Sequence, residues 1–245
     1  MATSTTTIPA TRTSTLQRRP FYIAASLLMG LIAVVGFWPT YFGPLVTGTI
    51  AQPLLIHIHA TVFTGWLVLF LTQAVLAATK QVAWHLRLGK IGIGYGALLV
   101  VVGLITGVLR SSRLPLGGPA EDLLFAATAD MVVFSGFFAA AIVYRRKPQV
   151  HKRLMVVAAN MLLIAAVARM KFIPPPPAGL PLFVAIWFLP LIAAMAYDWW
   201  SQRRVYAVYF IGVAAFVVRI VAIAIHNTEA WRALTRAVVG SVTNG

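Results

Sequence analysis

The chain holds five histidines, His57, His59, His85, His151 and His226, and no cysteine. Strong metal ligation must therefore come from imidazole or carboxylate, and disulfides, thiolate metal centres and iron–sulfur clusters held by four cysteines are excluded. Two histidines open the same short motif. His85-Leu86-Arg87-Leu88-Gly89 and His151-Lys152-Arg153-Leu154-Met155 both read H-x-R-L, each after a basic connector. Two neutral imidazoles on different helices are what a six-coordinate haem iron requires, and Arg87 and Arg153 beside them suit haem propionates. The competing reading is anchoring, with each imidazole at headgroup level and each arginine snorkelling to phosphate.

A second polar group is expected in the opposite half of the membrane. Ionisable residues within an apolar span are expensive and so point to function or to pairing. His57 and His59 lie about 200° apart around a regular helix, so they grip one metal ion only if the helix starts between them. Asp130 is expected about 13 Å along its helix, at the depth of Arg219. These two can form an ion pair, or Asp130 can join His57 and His59 as a transition-metal ligand or proton acceptor. His226 either joins that group or is solvated. His59, Trp66 and Gln73 are spaced by seven residues and share one helical stripe, which makes Gln73 an inward-facing polar residue.

The elements that position these residues follow from composition. Hydrophobic residues make up 60% of 245 positions and charged residues 10%. The apolar residues form successive blocks of about 20, the length that carries a helix across a bilayer. Spans are predicted over 21–42, 52–78, 90–110, 121–144, 151–170, 180–199 and 205–225, giving an all-α integral membrane bundle of seven helices. The net charge of +15 comes from Lys and Arg in short connectors, a pattern that denotes topology and lipid contact and not nucleic acid. Thirteen of these cations fall on the side of the N-terminus and six on the other, counted along the sequence. That bias predicts an inside N-terminus and an outside C-terminus, in a bacterial inner (plasma) membrane.

Residues 1–20, rich in Thr, Ser and Arg, are expected to be a disordered basic tail. Arg18-Arg19 is read as a flank of the first span and not as a twin-arginine signal, because the apolar run continues into Trp38 and Tyr41 without a small-residue cleavage site. Gly92, Gly96, Gly103 and Gly107 give span 3 two small-x-x-x-small pairs, which suggests a central helix. Pro174–Pro177 is expected to be a stiff extended connector. Residues 226–245 are expected to form an outer interfacial tail, with a short helix over 228–240 presenting Trp231, Leu234 and Val238. The shared H-x-R-L motif suggests that residues 52–170 contain two copies of one helical hairpin, related by an axis along the membrane normal. Asn160 is expected to bridge two helices.

The string from His59 through Trp66 and Gln73 to the HLRLG box, followed by HKRLM, resembles a group of uncharacterised bacterial polytopic membrane proteins. More remotely it resembles the four-helix membrane b-type cytochromes, although spans 3 and 4 hold no histidine at mid-membrane. The resemblance implies haem b held by paired histidines and electron exchange with a quinol or a similar donor. Three functions therefore stand open: a redox protein carrying haem b or a histidine-bound metal with quinone as partner, an accessory subunit of a larger membrane complex, or a proton-linked transporter built on Asp130 and Arg219. A retinal protein is excluded by the lack of an intramembrane lysine, and a di-iron hydroxylase by the lack of clustered histidine boxes.

Overall fold

The computed structural model describes residues 20–243. The tail expected over 1–20 lies outside the described residues except for Pro20. Seven helices are long and apolar enough to cross a membrane: α1 (Pro20–Val46), α2 (Leu54–Ala78), α3 (Val82–Ser111), α4 (Pro119–Arg146), α5 (Pro148–Val167), α6 (Leu180–Gln202) and α7 (Ala207–Ile225). An eighth helix, α8 (Glu229–Thr243), follows. No strand occurs among the described residues, so the protein is an all-α, multi-pass membrane bundle. The end at which α1 begins is called the N-face here, and the opposite end, which carries α8, the C-face.

Sequential helices pack as neighbours from α2 to α5, and α1 closes against α2 and α5. The glycines of α3 do admit a close neighbour, and it is α4. A Cβ at Gly96 would sit 2.3 Å from the Phe138 ring, at Gly103 2.5 Å from the Met131 sulfur, and at Gly107 2.6 Å from Ala127. The central helix, however, is α5. Its apolar stretch is 67% buried against 39% for α3, and residues Val156–Met161 are buried without a break. Small residues explain the tight surround, since Gly36 of α1 meets the Ala166 backbone and Gly212 of α7 meets Val157.

Three further expectations need correction. Helix α3 starts at Val82 and not near residue 90, because Arg87 and Lys90 interrupt the apolar run without interrupting the helix; Arg87 lies over the Trp84 ring at 5.3 Å. The proline run does not extend but turns, with Gly179 N–H donating to the Pro175 carbonyl and Leu180 N–H to that of Pro177, both at 3.2 Å. Buried Met170 ties this connector to the core. Helix α8 packs on α3 and α4 through Thr235 and Val239, with Trp231 beside them, and Leu234 is 50% exposed. A step of four along a helix keeps one face, and that face is 231, 235 and 239.

Candidate functional site

Helices α1 to α5 line a half-open cavity of about 350 Å³ toward the N-face. Tyr22 of α1, Trp66 and Gln73 of α2, His85 of α3, Phe138 of α4, and His151 and Lys152 of α5 are among its lining residues. Most of the remaining wall is apolar, including Leu69, Phe70, Ile142 and Met155. The fold thus brings together both motif histidines and Gln73, which the sequence places in three separate spans.

Each motif histidine clasps the preceding helix in the same way. His85 Nδ1 lies 3.3 Å from the Gln73 carbonyl, and His151 Nδ1 lies 2.8 Å from the Ala141 carbonyl. A carbonyl oxygen only accepts, so both Nδ1 atoms carry the proton and donate, and both Nε2 atoms keep their lone pairs. That is the arrangement in which a second partner fixes the tautomer and the aim of a ligating imidazole. The two rings are near enough to influence one another electrostatically. The Gln73 side chain returns the bond, its Nε2 donating to the His85 carbonyl at 3.3 Å, so α2 and α3 are joined twice at this level.

Buried polar atoms without a hydrogen-bond partner among the described residues include three from lining residues: the Tyr22 hydroxyl, Trp66 Nε1 and Gln73 Oε1. Trp66 is only 2% exposed. Its ring is held edge-on by Phe134 and Phe138 at centroid distances of 5.3 and 5.2 Å. A buried polar group without a partner costs stability, and it occurs in native structures mainly where a ligand or water completes the site.

The two arginines expected beside the histidines go elsewhere. Arg87 is exposed. Arg153 is fully buried in an ion pair with Asp198 of α6, its Nε 2.5 Å from Oδ2 and its Nη2 2.7 Å from Oδ1. Its Nη1 donates to Gln149 Oε1 at 2.9 Å, and the guanidinium lies 3.5 Å from the Tyr206 ring centroid. Gln202 also donates to Asp198, at 3.0 Å. The sequence reading missed this network because charge counting assigned Arg153 to the headgroup level. The available signal was Asp198, the only acidic residue after Asp130 and before Glu229. The cation that does line the cavity is Lys152, which also lies over the Tyr22 ring at 4.7 Å.

The second polar group is dispersed. His57 Nδ1 meets the Tyr41 hydroxyl at 3.0 Å, and His59 stacks on Phe63 with ring centroids 4.1 Å apart. Asp130 pairs with Arg219, Oδ1 to Nε at 2.7 Å, joining α4 to α7. His226 Nε2 lies 3.1 Å from Asp122 Oδ1. Among the described residues no three His, Asp or Glu side chains converge as a metal-binding group, so His57, His59 and Asp130 are not brought to one point. Asn160 does bridge helices: its Nδ2 donates to the Trp187 carbonyl and Trp187 Nε1 donates to the Asn160 carbonyl, both at 3.1 Å. No protein-family model, curated protein or solved structure matches this chain.

Proposed function

We propose that the protein binds haem b in the N-face cavity through His85 and His151 and serves as a membrane electron-transfer protein. The observation that supports this most is the pair of matched imidazoles on one cavity, each with Nδ1–H held by a backbone carbonyl and Nε2 left free to ligate. Two axial ligands are enough for a haem iron, whose other four come from the porphyrin, so the absence of a third clustered ligand does not count against it. The apolar wall suits a flat hydrophobic group, and Lys152 replaces the expected Arg87 and Arg153 as the cation toward acidic substituents.

When bound, the haem supplies one-electron transfer between donor and acceptor. The chain's own part is to fix both imidazoles, to exclude water with Leu69, Phe70, Phe138 and Met155, and to set the polarity of the site through Trp66 and Gln73. Thirteen of the Lys and Arg residues belong to the N-terminal side by the sequence count, and we take that side as cytoplasmic, in a bacterial plasma membrane.

Protein purified in mild detergent from haem-replete cells is expected to show a Soret band that either His85→Ala or His151→Ala abolishes. A helical but colourless wild-type protein, unchanged after incubation with haemin and reductant, removes the proposal.

A further inference from the structure

The chain has only five acidic side chains, Glu121, Asp122, Asp130, Asp198 and Glu229, and the structure commits all of them. Asp198 holds Arg153, Asp130 holds Arg219, Asp122 faces His226, and Glu229 lies 3.6 Å from Arg232. Glu121 accepts the backbone N–H groups of Gly117 and Gly118 at 2.8–3.1 Å and so closes the turn before α4. No side-chain carboxylate is left for the arginines at the C-face end of α3.

Arg110 and Arg113 line one hollow of about 280 Å³ at that end, with Ser112 between them. Its other walls are Pro53, Leu55, Ile56, Leu109 and Val242, drawn from the start of α2, the end of α3 and α8. Two cations thus line one hollow with no acidic side chain of the described residues beside them. The hollow combines two guanidinium groups with a mostly apolar wall, and Leu54, next to Pro53 and Leu55 in the chain, is exposed.

We infer that this hollow is a binding site for an anionic phospholipid of the C-face leaflet, its phosphate held by Arg110 and Arg113 and its glycerol and upper acyl carbons laid on Pro53, Leu55, Ile56 and Val242. Guanidinium matches phosphate in charge and in bidentate geometry, and a free anion has no use for the apolar wall. Lipid occupancy also links the start of α2 to α8, which already packs on α3.

The test is native mass spectrometry and thermal unfolding of the full chain in detergent, titrated with phosphatidylglycerol, phosphatidylcholine or inorganic phosphate. Phosphatidylglycerol is expected to be retained and to raise the unfolding temperature, with the other two much weaker. Arg110→Gln/Arg113→Gln should weaken retention about 30-fold, from the usual contribution of each basic residue to anionic-lipid binding. The charge-matched N-face control Lys80→Gln/Lys90→Gln should bind as wild type. Equal retention by the arginine variant, equal loss in the lysine control, equal binding of phosphatidylcholine, or full protection by inorganic phosphate each overturns the assignment. Because both arginines are exposed, the variant should fold, and loss of phosphatidylglycerol stabilisation of the wild type at high salt gives a readout without mutation.

Discussion

Asp198→Asn should destabilise the bundle by about 3–5 kcal/mol, the cost of leaving one member of a buried ion pair without its partner. Both side chains of the Arg153–Asp198 pair are wholly inaccessible, so neither water nor lipid headgroups can replace the lost charge. The amide keeps the shape but not the charge, and it presents an N–H₂ group to a guanidinium that already has only donors. Gln149 and Tyr206 remain as partners but carry no negative charge. The assay is reversible unfolding in mixed SDS micelles, followed by circular dichroism. The double replacement Arg153→Met/Asp198→Val removes both charges with little change in total volume and should recover most of the loss, since buried pairs are often replaceable by apolar residues at little net cost. If Asp198→Asn unfolds at the wild-type SDS fraction, or if the double variant is as unstable as the sum of the single changes, the pair is not the buried, coupled unit described here.

Gly96→Ala should cost about 1–3 kcal/mol, because its Cβ would lie 2.3 Å from a Phe138 ring that Trp66 and Phe134 keep from moving. Gly94→Ala, two residues away with nothing within 4 Å of the new Cβ, should be neutral or slightly stabilising in the same unfolding assay. Trp231→Ala removes the Nε1–H bond to the Glu121 carbonyl at 3.2 Å and the edge contact with Phe125. Trypsin should then cut at Arg232 and Arg236 several-fold faster, while the band for the transmembrane core persists; unchanged cleavage would mean that α8 is held mainly by Thr235 and Val239.

Hydrophobicity made the seven crossings legible in the sequence, because block length is a direct image of bilayer thickness. The Asp130–Arg219 pair was legible for a related reason: two opposite charges at one depth in hydrocarbon have few alternatives to each other. The convergence of His85 and His151 on one cavity followed the repeated motif, and the structure adds that each spends Nδ1 on the helix before it. The central position of α5 was not legible. Glycine spacing marks where a helix can be approached, and α3 turns Gly96, Gly103 and Gly107 to α4 and Gly92 to Leu69 of α2. Burial on every side is instead signalled by Ala158, Ala159 and Asn160 in a helix that is less apolar than those around it. Arg153 was misplaced because counting cations by side treats a buried arginine five residues into its helix like one in a loop.

The composition of α5 has a consequence for how the protein is made. Its apolar stretch has the lowest mean hydropathy of the seven, 1.6, and the helix also carries Arg153 and Asn160. An arginine opposes partition from the translocon into lipid, by about 2.5–3.5 kcal/mol at a helix centre and by less near an end such as that of Arg153. The groups that satisfy these residues, Asp198 and the Trp187 backbone, belong to α6, which is synthesised later. Helix α5 therefore has to linger at the translocon or lean on α4 until α6 emerges. A nascent chain halted between them would slip back toward water, which makes this the step of biogenesis where a membrane insertase has the most to do.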